Sequence, residues 1–164
     1  PRSEAFFRPD DASEAKASNR QQLVNAYDNS IRQTDRLLHD IIAALRKTGA
    51  VAAMLYTSDH GEDIYDDGRH FLHASIVPTD YQLHVPLFVW TSQSYEANHR
   101  SIVKALKSNS GATISTSLSL FHTILQMAGV STPFFVASHS FSDSSLVVPH
   151  RYFINDRNEA VLLR

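Results

Sequence analysis

The chain has 164 residues, about one domain's worth, and its hydrophobic content of 43% is enough for a buried core. Net charge is −2 with acids and bases interspersed, so no basic block offers phosphate contacts and a nucleic-acid partner is not expected. The absence of cysteine excludes disulfides, thiolate metal sites and cysteine nucleophiles together.

No stretch approaches the roughly 18 continuous apolar residues of a spanning helix, and no secretory leader is recognisable. The start at Pro1-Arg2-Ser3-Glu4, without Met, reads as part of a longer protein, with residues 1–164 forming a single domain of it. Residues 1–18 are polar with Phe6, Phe7 and Pro9 and read as an irregular lead-in. Ser18 with Gln21 fits a capping box. Tyr27, Ile31, Thr34, Leu38, Ile41 and Leu45 then recur at spacings of four and three, which predicts a long helix over 19–48 with one face on a core. Lys47 and Gly49 are its stop signals. Residues 50–57 form a nearly unbroken apolar run, expected to be a strand buried on both faces as in parallel α/β sheets. A second such run spans 85–90, with Pro86 near its start.

Residues 59–84 between the two strands are polar and irregular, and a connection of that length inside a compact domain is usually functional. A helix is expected over 95–106. Another is marked by Ile114, Leu118, Phe121, Leu125 and Ala128 and closed by Gly129. Arg151–Ile154 and Ala160–Leu163, joined by Asn155-Asp156-Arg157-Asn158, read as a terminal hairpin. The element order predicts an α/β fold, with helices packed on a mostly parallel sheet.

Ligands of open α/β sheets bind at the carboxyl ends of strands, and Asp59-His60 follows the first strand at that end. A carboxylate oxygen beside an imidazole nitrogen suits Zn²⁺ or a similar divalent cation. Gly61 would let the backbone approach an ion or a phosphate closely, and Glu62 would serve as a partner for an imidazole. Nine histidines, about twice ordinary usage, include His60, His70 and His73 within fourteen residues. Against this stands the frequent chance occurrence of an Asp-His pair.

Four blocks then carry a resemblance: Asn25-Ala26-Tyr27-Asp28-Asn29-Ser30-Ile31 with Thr34-Asp35, Tyr56-Thr57-Ser58-Asp59-His60-Gly61-Glu62, Phe71-Leu72-His73, and His84-Val85-Pro86-Leu87-Phe88-Val89-Trp90. Their types and order are similar to the phosphoethanolamine transferases of the alkaline phosphatase/sulfatase superfamily, over roughly residues 1–130. The resemblance implies the C-terminal part of an alkaline-phosphatase-like catalytic domain at the periplasmic face of the bacterial inner membrane, anchored by upstream helices. It implies that Asp59 and His60 ligate a catalytic Zn²⁺ and that His73 contacts substrate. The stretch from Asp59 to His73 is one residue longer than in the best-known members, so His70 is the second candidate for that role. A threonine nucleophile, a further metal-binding Glu and another histidine lie upstream in the family. No catalytic nucleophile is therefore expected in this chain, and the fragment alone should not turn over. The implied donor is a phospholipid, and the implied acceptor is lipid A or another envelope glycan. The alternative is a sulfatase or phosphodiesterase-type hydrolase that uses the same metal pair.

Elsewhere the blander readings prevail. Asp63, Asp66 and Asp67 read as a solvated acidic loop before a second cation site. His84 is a strand-entry residue, His39 and His99 are exposed helix positions, and His122 is a packed or exposed one. Ser-rich 138–145 is a loop. His73-Ala74-Ser75 with Tyr81-Gln82-Leu83-His84 marks a distinct subgroup.

Overall fold

A computed structural model describes residues 5–11, 14–73, 75–148, 150–155 and 157–163, so Pro1–Glu4, Ala74 and the hairpin's Asp156 lie outside it. The elements are α1 (Arg20–Thr48), β1 (Ala53–Thr57), β2 (Asp63–Ile64), β3 (Phe71–Leu72), α2 (Asp80–Leu83) and β4 (Leu87–Thr91), followed by α3 (Gln93–Asn98), α4 (Arg100–Ser108), α5 (Thr116–Met127), β5 (Tyr152–Ile154) and β6 (Ala160–Leu162). They fall into two compact units, Pro1–Gly49 with Met54–Trp90, and Ala50–Ala53 with Thr91–Arg164.

In the first unit α1 ends as expected, with Gly49 left-handed at φ 66°. Its start differs. A 3₁₀ turn at Ala17–Asn19 leads in, Asn19 is the N-cap without a side-chain cap bond, and Gln21 donates to Asn25 instead of closing a box with Ser18. The lead-in is not loose. Asn29 Oδ1 accepts from the Phe6 and Phe7 amides, its Nδ2 donates to Phe7 O and Asp10 Oδ2, and Asn25 Nδ2 donates to Pro9 O. Two asparagines one helical turn apart thus strap the lead-in along α1. Asn25 is the only buried residue of the helix, and Tyr27, Ile31 and Ile41 of the apolar stripe stay exposed.

β1 pairs with β4, and β2 with β3. β1 is half-buried throughout and starts at Ala53 rather than Ala50. The residues just before it bond to Ser92 and Ser94, which lie with Ala50–Ala53 in the second unit. The Ser92 hydroxyl accepts from Ala52 N, and both hydroxyls donate to Ala50 O. Ser92 also caps α3 by accepting from Tyr95 N. The connection expected to be irregular contains the β2–β3 ladder, with Asp63 opposite Leu72 and Ile64 opposite Phe71, and the short helix α2.

In the second unit the helix expected over 95–106 is broken at His99, whose ψ of 47° leaves the helical region while its ring packs tilted against Tyr95, 4.3 Å between centroids. The Tyr95 hydroxyl donates to Met127 O and ties α3 to the end of α5. α5 stops as expected at left-handed Gly129. Its buried face is not the apolar stripe. Phe121 is exposed, while Ser119, His122 and Thr123 are buried. The segment after it explains why. Val136 N donates to His122 Nδ1, Phe141 N to Thr123 Oγ1, the Ser142 hydroxyl to Gln126 Oε1, and Gln126 Nε2 to Asp143 Oδ2. The Ser-rich segment is therefore a docked strap with Ser140 and Ser142 fully buried. Buried polar groups are tolerated there because each finds a partner. The terminal hairpin forms, with Tyr152 opposite Leu162 and Ile154 opposite Ala160.

Candidate metal centre

β1 delivers Ser58-Asp59-His60 at its carboxyl end. The Ser58 hydroxyl donates to His60 O at 2.7 Å and curls the backbone back on itself. Asp59 points into solvent, 88% exposed, and its Oδ1 accepts from the His60 amide. The amides of Asp59 and His60, then the His60 ring and Ser58, hold its carboxyl below the usual aspartate value. His60 Nδ1 lies 3.0 Å from Gly61 O. A carbonyl only accepts, so Nδ1 carries the proton and Nε2 is left as the lone pair, 3.8 Å from Asp59 Oδ2.

Glu62 and His73 meet through the ladder. With Asp63 opposite Leu72, the next pair outward is Glu62 with His73. His73 Nδ1 donates to Glu62 Oε1 at 2.9 Å, and the His73 ring lies 4.1 Å from that of His60, centroid to centroid. Ligand atoms of His60, Glu62 and His73 lie within 4.8 Å of one another. Glu62 Oε2 is buried and is the one such side-chain atom without a hydrogen-bond partner among the described residues. A buried carboxylate oxygen without a partner is costly, and a cation beside it removes that cost. The donor set, two imidazoles and a carboxylate with Asp59 adjacent, suits Zn²⁺. Tyr27 of α1 borders the same patch. Burial first, and then the Glu62 charge, raise its phenol above the usual value.

His70 stands apart from this group. Its Nδ1 donates to Asp67 Oδ2, and Asp63, Asp67 and His70 form a second gathering of donors. Here the solvated reading fails for Asp63, which is fully buried. Its Oδ2 accepts from the Thr79 hydroxyl and its Oδ1 from Asp66 N. Asp66 in turn accepts from Arg20 of α1. These carboxylates pin the turn.

Gly61 has a role other than approaching an ion. A Cβ there would sit 2.1 Å from Tyr81 O, and the Gly61 amide donates to Gln82 O. α2 therefore packs directly on the motif's backbone, a contact that the sequence reading missed. The T-x-x-Q pattern of Thr79 and Gln82 was its only sequence signal.

A sequence model of the Sulfatase family matches residues 1–130. The chain is 30% identical over 142 residues to phosphoethanolamine transferase EptA of Salmonella typhimurium, covering 84% of this chain and 26% of that protein. It is 29% identical over 139 residues to the Kdo(2)-lipid A phosphoethanolamine 7''-transferase of Escherichia coli, covering 81% and 24%. It therefore spans about a quarter of the length of these relatives. Among solved structures, the C-terminal periplasmic domain of EptC from Escherichia coli in complex with Zn superposes with a TM-score of 0.80 over 96% of this chain and 44% of that one, at 21% identity. The family match over residues 1–130 places the chain in the sulfatase family, and the structural match gives it an alkaline-phosphatase-like α/β fold.

Proposed function

We propose that this chain is the C-terminal part of the periplasmic catalytic domain of a zinc-dependent phosphoethanolamine transferase. Its donor is a phospholipid, and its acceptor is lipid A or another envelope glycan. Residues 1–164 belong to one domain of a protein held at the inner membrane by helices elsewhere in its sequence. The observation that carries this reading is the gathering of His60, Glu62 and His73 just beyond β1, next to Asp59 in sequence, with one buried Glu62 carboxylate oxygen that lacks a partner. The activities of the relatives and the zinc complex of the structural neighbour support it.

Asp59 and His60 are the residues assigned to the metal. Zn²⁺ bound there supplies charge neutralisation for phosphoryl oxygens and lowers the pKa of a hydroxyl nucleophile. The bond from His60 Nδ1 to Gly61 O fixes the tautomer that leaves Nε2 as a ligand. Glu62 holds His73 by Nδ1, so the His73 Nε2 is free to donate to a substrate phosphoryl oxygen or to take a proton from an acceptor hydroxyl. His70 is the second candidate substrate contact. The nucleophile is a threonine supplied by sequence outside residues 1–164, and it carries the phosphoethanolamine between donor and acceptor.

The test uses the full-length protein in membranes, with mass spectrometry of lipid A and glycan fractions for added phosphoethanolamine. The expected result is modification by the wild type and loss to background with Asp59→Ala and His60→Ala. Release of free phosphoethanolamine or sulfate without acceptor modification would replace the transferase reading with the hydrolase one.

A further inference from the structure

The pair Glu62–His73 extends a ladder of only two residue pairs, too short to hold the two side chains together unaided. The backbone just before His73 is also unfavourable. Leu72 has φ 61°, a left-handed conformation that is strained for a residue with a Cβ. Something outside the ladder must keep it there.

That support is Gln82. It is 3% exposed and lies in α2. Its Nε2 donates to Leu72 O at 2.6 Å and to the Ser75 hydroxyl at 3.0 Å, grasping the chain on both sides of His73. Its Oε1 accepts from Thr79 N at 2.9 Å. Its own backbone carbonyl accepts from Gly61 N at 2.8 Å, on the residue between His60 and Glu62. One residue therefore joins the segment bearing His73 to the segment bearing His60 and Glu62.

We propose that Gln82 is a positioning residue for the site, whose side-chain amide, acting through Leu72 and Ser75, sets where His73 stands relative to Glu62 and His60. This rests on the reading that His60 and His73 are the working groups. Two arms of one side chain separate the roles. Oε1 closes the first turn of α2, a structural task, whereas Nε2 alone reaches the neighbours of His73. Gln82→Glu keeps the acceptor for Thr79 N and sets a carboxylate oxygen against Leu72 O.

The experiment follows the ring ¹⁵N and ¹H resonances of the histidines in the full-length protein, with Zn²⁺ alone titrated into the wild type, Gln82→Glu and Ser75→Ala. Gln82→Glu should shift the His73 ring signals and weaken Zn²⁺ affinity about tenfold or more, with the His99 and His122 signals unmoved. Ser75→Ala should do the same to a smaller degree. Unchanged His73 signals in a folded Gln82→Glu protein overturn the proposal. If Gln82→Glu does not fold, Ser75→Ala decides by the same readout. Failure of the wild type to bind Zn²⁺ would count against the metal reading alone, because the His73 signals report on Gln82 without metal.

Discussion

Replacing Gly61 by alanine tests the contact between the motif and α2. The added Cβ would lie 2.1 Å from Tyr81 O, 3.2 Å from Tyr81 C and 3.4 Å from His84 O. All three obstacles are backbone, so no side chain can swing aside. Relief requires α2 and the 58–62 segment to part by about 1.5 Å to reach ordinary contact distance. That movement breaks the bond from Gly61 N to Gln82 O. Overpacking costs about 1–3 kcal/mol and a lost hydrogen bond about 1 kcal/mol, so the sum is roughly 2–4 kcal/mol. For a chain of this size the melting temperature should fall by roughly 5–12 °C. Thermal and urea unfolding followed by circular dichroism measure this. Gly111→Ala is the control, since a Cβ there meets nothing within 4 Å and its change should stay within about 0.5 kcal/mol. A Gly61→Ala protein that melts within a degree of wild type, with the same urea midpoint, would refute the close approach.

Two further outcomes follow from buried and charged groups. The His70 amide and ring, then the Arg69 amide, hold the Asp67 carboxyl down to about 2. Its folded value is below its unfolded one near 3.9, so its stabilisation is complete above about pH 4 and disappears as pH falls toward about 2. Asp67→Asn should make acid unfolding, followed by circular dichroism, less steep across that window, and an unchanged slope would count against those bonds. Thr123→Val keeps the shape of a 1% exposed side chain but leaves Phe141 N without its acceptor. A loss of about 1–3 kcal/mol in urea unfolding is expected, with faster amide exchange at Phe141; a loss below about 0.5 kcal/mol would argue that the strap is held elsewhere.

What the sequence made legible is what hydrophobic pattern and stop signals encode. α1, with Gly49, and α5, with Gly129, begin and end near their expected limits, and both apolar runs contain strands. Pattern failed where polar groups replace apolar ones in the interior. The buried face of α5 is Ser119, His122 and Thr123, none of which lies on the apolar stripe that the spacing marked. Asp63 looked solvated because nothing in its neighbourhood shows that Thr79, sixteen residues on, would bond to it. The site divides in the same way. Asp59 and His60 stand out because a motif follows a strand. The pairing of Glu62 with His73 depends on a ladder register, and the part played by Gln82 on a helix of four residues, and neither leaves a periodic trace.

The β2–β3 ladder has a consequence for comparing relatives. Because Glu62 meets His73 by counting pairs outward from Asp63–Leu72, their separation in space is independent of the number of residues in the turn beyond Ile64 and Phe71. The turn already uses left-handed positions at Tyr65 and Gly68, where an extra residue is easily absorbed. Lengthening such a loop is cheap, about 0.6 kcal/mol for each doubling, whereas a one-residue slip in the ladder would send the histidine to the opposite face. Insertions at the tip are therefore neutral for the chemistry. The equivalent histidine in a relative is found by aligning the two strands, not by counting from the Asp-His pair.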